Sequence, residues 1–120
     1  MVMVITLPWP PRECHPNFRG HWSKRAKAAK ECRTLGWGLT LAAGIRRNDP
    51  DIPNPLKVTA VFCPPDNRRR DRDGMLSNIK NYLDGIADVI GIDDSNWEIA
   101  IRKEASVKGG CVRIELEAAA

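Results

Sequence analysis

The chain has 120 residues, 42% hydrophobic and 28% charged, with a formal net charge of +4 and a pI near 9.1. That is one ordinary globular domain by size, and no apolar run approaches the roughly 18 residues of a membrane span. MVMVITLPWPP at the start has neither a basic leader nor a small-residue cleavage site, so a cytoplasmic location and no membrane association are expected.

In chain order, Val2–Leu7 is apolar and β-branched and predicts a first strand, stopped by Pro8, Pro10 and Pro11. Residues 8–21 hold four prolines and a glycine and read as a loop. From about Trp22 to Ile45 the chain is rich in Ala, Lys and Leu and predicts a helix, weakened in its second half by Gly36 and Gly38. RRNDPDIPNP breaks it. LKVTAVFC predicts a second strand, ended by Pro64 and Pro65, and the loop NRRRDRDGML follows. Met75, Ile79, Tyr82, Leu83, Ile86 and Ile90 recur at helical spacing, so 74–90 is expected to be one amphipathic helix closed by Gly91. After the turn IDDSNW, the segments EIAIRKEASV and CVRIELEA flank KGG and predict an antiparallel hairpin. The expected fold is α+β, with order β-α-β-α-β-β, two main helices and a small mixed sheet.

Charge is uneven. Between Arg12 and Arg47 nine basic residues face only Glu13 and Glu31, while Asp84 to Glu98 holds five acidic residues and no basic one. A positive half beside a negative cluster suits a polyanion held near a cation site. Four cysteines, Cys14, Cys32, Cys63 and Cys111, are scattered without a CxxC pair, and reduced thiols are expected. Cys14, His15, His21 and Cys32 match no common zinc spacing.

The stretch NRRRDRDGML sets four arginines around Asp71 and Asp73. In an extended segment residues two apart point the same way, so both carboxylates can face one site; Asp73 alternatively serves as the helix N-cap. At 100° per residue, Lys80 and Asp84 each lie about 20° from Asp73 on the helix surface. Lys80 then either pairs with Asp84 or holds a phosphate. Asp93 and Asp94 meet this line only if a short turn beside the sheet brings them back. Carboxylates without histidine are hard ligands that suit Mg²⁺ or Mn²⁺, and the fork-shaped donors of Arg68, Arg69, Arg70 and Arg72 suit phosphate. A calcium loop starting at Asp71 fails, because its twelfth position is Tyr82. There is no phosphate-binding glycine loop and no Ser or Cys with a base; His15 and His21 read as surface or phosphate-contacting.

ITLPWPP at 5–11, PPDNRRRDRD at 64–73 and GIDDSNW at 91–97 together resemble the RusA family of Holliday-junction resolvases, including phage and prophage members, over essentially the whole chain. The resemblance implies a homodimeric, Mg²⁺-dependent endonuclease that nicks opposing strands of a four-way DNA junction in recombination and repair. Carried over, the catalytic and metal-binding aspartates are Asp71, Asp73 and Asp94, with Asp93 as substitute, and Lys80 is the catalytic lysine. Many members have Asn where Gly74 stands, and loss of that amide weakens the orientation of a ligand or phosphate; Asn78 would compensate from the next turn. Arg68, Arg69, Arg70 and Arg72, with Asn17, Arg19, Lys24 and Lys27, are the expected DNA contacts. A structure-selective DNA-binding protein that has lost cleavage is the alternative. Trp9, Trp22, Trp37, Trp97 and the apolar start offer material for a dimer interface.

Overall fold

In the computed structural model, which describes residues 2–119, the sheet has four strands. These are β1 (Met3–Pro8), β2 (Leu56–Cys63), β3 (Glu98–Lys103) and β4 (Cys111–Ala118), and they lie side by side as β1-β4-β2-β3. β4 is antiparallel to both β1 and β2, and β3 is parallel to β2. The helices are α1 (Trp22–Ala42), α2 (Arg72–Asn78) and α3 (Lys80–Ile90), with single 3-10 turns at Arg12–Cys14 and Asp94–Asn96. The α+β class and the mixed sheet are as expected, but there are three helices rather than two. Met1 of the apolar start lies outside the described residues.

Register explains the core. Ile5 pairs with Ile114 and Ile114 with Ala60; Leu7 pairs with Val112 and Val112 with Phe62; Leu116 pairs with Val58. These rows share one sheet face and are essentially buried, each large side chain contributing roughly 1.5–3 kcal/mol. Ile79, Tyr82, Leu83, Ile86 and Ile90 join the same cluster. The opposite face carries Arg102, Arg113 and Glu115, which with Glu104 form an ion-pair network.

α1 buries only Ala28, Cys32, Gly36 and Thr40, a stripe four residues apart, and packs chiefly against α3. The stripe is narrow because the helices approach closely. A Cβ on Gly36 would collide with the Tyr82 carbonyl, and one on Gly85 with the Arg33 carbonyl and Trp37 nitrogen. Gly36 is therefore a packing requirement rather than a helix weakness, whereas Gly38 faces open space.

Two expectations need correction. The segment 74–90 is not one helix: it starts at Arg72 and breaks at Ile79 (φ −106°, ψ 9°), whose N–H bonds to the Leu76 carbonyl at 3.2 Å in a tightened turn. Ile79 is fully buried at the elbow, and the apolar period resumes in phase beyond it, so periodicity cannot register the break. β3 and β4 are not a hairpin either. β2 lies between them, and the link from Glu104 to Gly110 crosses its end, Glu104 N–H donating to the Phe62 carbonyl and Val107 N–H to the Pro64 carbonyl. The cause is β2 itself, buried at seven of its eight positions, an interior strand that needs a partner on each edge.

The cysteines are free thiols, as expected. Cys14 and Cys32 stand 3.7 Å apart in the core; burial, reinforced by Cys14, pushes the Cys32 thiol up to about 12. Their nearest histidines are engaged elsewhere: His21 caps α1, accepting from Ser23 N–H, and His15 Nδ1 accepts from Asn17 N–H at 3.0 Å. No helix among the described residues is long and apolar enough to cross a membrane.

Candidate nucleic-acid interface

The loop after β2 is organised by Asp66. Its carboxylate accepts from Arg68 N–H at 2.9 Å and pairs with the Arg70 guanidinium at 3.0 Å. The Arg68 N–H holds the Asp66 carboxyl below the usual range; desolvation opposes it, and the Arg70 guanidinium adds to the lowering. Arg70 also donates to the carbonyls of Asp66 and Arg68 and lies over the Trp9 ring, 5.3 Å from its centroid. Trp9 in turn meets Phe62 edge-on at 6.1 Å. The expectation that Arg70 grips phosphate is thus modified: its donors are turned inward, and it stacks. Arg68, Arg69 and Arg72 remain exposed.

Between this loop and the turn after β1 runs an open groove of about 540 Å³, lined by Trp9, Arg12, His15, Asn17, Arg68–Arg70, Asp71 and Asn78 among others. Asn17, one of the expected DNA contacts, lines this groove together with Arg12 and His15. Arg25 ties the N-terminal wall to α1, donating to the His15 carbonyl at 2.6 Å. Arg19, Lys24 and Lys27 are exposed on the approach to and first turns of α1 rather than in the groove wall.

Asp71, not Asp73, is the N-cap of α2: its Oδ1 accepts from Gly74 N–H at 2.9 Å. Gly74 follows from this, because a Cβ there would press on that same oxygen. With the helix beginning at Arg72, only Asp71 is extended, so the two carboxylates do not point alike. Asp71 turns to the groove, while Asp73 is exposed in the first turn, on the helix face it shares with Ser77.

Ser77 leads to a second hollow of about 330 Å³, lined also by Leu76, Lys80, Leu83, Asp94 and Ile99. Lys80 bridges Asp84, at 2.8 Å, and Asp94. Desolvation pulls the Lys80 ammonium down, but both carboxylates outweigh it and hold its pKa above the ordinary value. Asp94 returns to the start of α3 because Gly91 (φ 76°) ends the helix and the chain doubles back, anchored by buried Trp97, whose Nε1 donates to the Ile92 carbonyl. Asp93 is exposed and bonds Ser95 instead. Of the later pair, Asp94 is the one gathered with Lys80.

Three carboxylates are therefore arranged along α2 and its elbow rather than in one cage; among the described residues no group of three potential ligands is drawn together. In kind they fit a hard cation. Asp71 Oδ2, Asp73 and Asp94 Oδ1 have no protein partner among the described hydrogen bonds, and Mg²⁺ commonly takes one or two carboxylates and keeps its waters. Sequence reasoning missed the Trp9–Arg70 stack and the role of Asp66; an Asp two residues before Arg68, directly after Pro-Pro, is the turn signal that would have found the latter.

The chain matches no family model. It is similar to an uncharacterized protein of Xylella fastidiosa, with 40% identity over 93 residues, 78% of this chain. The chain spans 61% of the length of that relative.

Proposed function

We propose that this chain is a metal-dependent endonuclease of branched DNA, of the RusA type, acting on four-way junctions in recombination and repair in the cytoplasm. The observation that carries this reading is the groove that exposed Arg68 and Arg69 line together with Asp71. Arginine forks neutralise backbone phosphates and overcome the repulsion that a carboxylate alone would exert. Asp71, Asp73 and Asp94 are the residues that would hold Mg²⁺ or Mn²⁺. When bound, such an ion lowers the pKa of a water and offsets charge on a leaving oxygen. Lys80, kept protonated by its two carboxylates, supplies a fixed positive charge beside them. Two symmetric nicks require two sites, so the active species is a two-fold dimer.

The test is incubation of the purified protein with a synthetic four-way junction and Mg²⁺, with linear duplex as control. Paired nicks at symmetric positions on the junction alone support the reading. Junction binding without nicks supports the second reading, a structure-selective binding protein. That reading is favoured by one observation: Asp71 Oδ1 is committed to the α2 cap and Asp94 Oδ2 to Lys80.

A further inference from the structure

We propose that the turn at 107–110 is a second DNA-contacting element, in which Lys108 takes a backbone phosphate of the duplex arm that leaves the arginine groove. This rests on the nucleic-acid reading above and extends its contact surface to a part of the chain far from the arginines in sequence. The link that crosses the end of β2 is fastened to the arginine loop. Val107 N–H donates to the Pro64 carbonyl at 2.9 Å, and Ser106 Oγ to Asn67 Oδ1 at 3.0 Å. Asn67 directly precedes Arg68.

Gly110 N–H returns to the Val107 carbonyl at 3.0 Å and closes a β-turn with Lys108 and Gly109 at its corners. Gly109 has φ 79°, the left-handed value that the third position of such a turn reserves for glycine, and nothing lies within 4 Å of where its Cβ would be. Gly110 is the opposite case. A Cβ there would lie 2.9 Å from Pro65 Cδ and 3.0 Å from Trp9 Cβ. The base of the turn is thus pressed against Trp9, a residue of the groove wall, while its tip stands in the open. Two side chains in the link are charged. Glu104 is engaged by Arg113 at 2.8 Å and by Arg102 at 3.2 Å. Lys108 is exposed and has no ion-pair partner among the described residues. Val107 beside it is 43% exposed, apolar surface suited to a sugar. The turn therefore offers solvent one unneutralised positive charge, next to the loop that carries exposed Arg68 and Arg69. A strand held by those arginines continues past Trp9 onto Lys108. Because the turn is already fixed in place, little backbone freedom is lost when it binds.

The experiment measures binding of a synthetic four-way junction by fluorescence anisotropy in EDTA, so that nothing is cut, over a series of salt concentrations. Lys108→Gln is expected to flatten the slope of log K against log salt by roughly 0.9 and to weaken binding about eightfold near 0.1 M salt, as loss of one phosphate contact does. Lys57→Gln is the control. Lys57 lies at the opposite end of β2, opposite Glu98 and Glu117 in register, and its loss should leave the slope unchanged. In parallel, wild-type protein is acetylated with and without the junction and the lysines are compared by mass spectrometry; the junction should protect Lys108 at least fivefold and leave Lys57 reactive. A junction that binds Lys108→Gln with the wild-type slope overturns the proposal while leaving the DNA reading intact. Equal flattening by Lys57→Gln, or equal acetylation of Lys108 in free and bound protein, overturns it as well. Failure of wild type to bind the junction defeats the DNA reading and this proposal together. The wild-type acetylation pattern decides the matter even if the variant does not fold.

Discussion

Asp71 has two separable roles, and two substitutions divide them. Its Oδ1 caps α2 through Gly74 N–H at 2.9 Å, and its carboxylate stands in the arginine groove. Asn caps as well as Asp, so Asp71→Asn should leave stability nearly unchanged; Ala cannot cap, and Asp71→Ala should cost about 1 kcal/mol. For a chain of 120 residues, unfolding entropy of about 2.1 cal/mol/K per residue turns that into a fall in Tm of about 4 °C. Both variants remove one negative charge near Arg68 and Arg69. Against one DNA phosphate taken to lie about 7 Å away in a water-like dielectric, that charge is worth roughly 0.6 kcal/mol, so each should bind a four-way junction about threefold more tightly in EDTA. Nicking should fall in both, because a hard cation loses a charged ligand. The assays are thermal melting by circular dichroism, anisotropy and junction cleavage over a Mg²⁺ titration. Cleavage by Asp71→Asn equal to wild type at saturating Mg²⁺ refutes the catalytic assignment and leaves Asp71 a cap. Equal melting of the Asn and Ala variants refutes the cap.

Arg68→Ala, Arg69→Ala and Lys27→Ala should each flatten the slope of log K against log salt by roughly 0.9, while Arg70→Ala, whose donors face Asp66, should lower Tm and leave the slope nearly unchanged; salt titrations of junction binding check both. Lys80→Met should abolish junction cleavage while the fold is retained. Because both carboxylates raise the Lys80 pKa, the stability its ion pairs contribute is fully present below the unfolded value of about 10.4 and is lost as pH rises through the folded one; wild type should therefore lose stability relative to Lys80→Met above pH 10, read by urea unfolding. Gly36→Ala and Gly85→Ala force α1 and α3 apart and should each destabilise by about 1–3 kcal/mol or more, whereas Gly38→Ala, in open space, should stabilise slightly. Sedimentation equilibrium should return a dimer, and Trp22→Ser with Trp37→Ser should weaken it. Those two indoles are 74% and 48% exposed, while Trp97 belongs to the core and Trp9 to the groove; a wild-type monomer that stays monomeric on the junction counts against the paired-nick reading.

Apart from the break at Ile79, the elements were legible in the sequence because each is dictated locally. The strand in MVMVITL runs through Pro8 and ends before Pro10 and Pro11, the helix from Trp22 runs on good helix formers, and Gly91 takes the left-handed φ that closes α3. The grouping of arginines with Asp71 was legible for the same reason, since these residues are neighbours in the chain. What the sequence could not determine is whatever depends on partners far along it. Whether β3 pairs with β4 or with β2 is decided by which edge of a doubly buried strand is free, not by the Lys-Gly-Gly turn between them. Which aspartate caps α2 turns on where the backbone leaves the extended region, and Gly74, read from sequence alone as a missing amide, leaves the capping oxygen of Asp71 unobstructed. Asp94 reaches Lys80 only because the chain folds back along α3, and Arg70, held by nearby Asp66, lies over the ring of Trp9, a residue far from it in the sequence. Periodicity and propensity act over a few residues; packing chooses among distant neighbours, and the arrangement of this site is made by such choices.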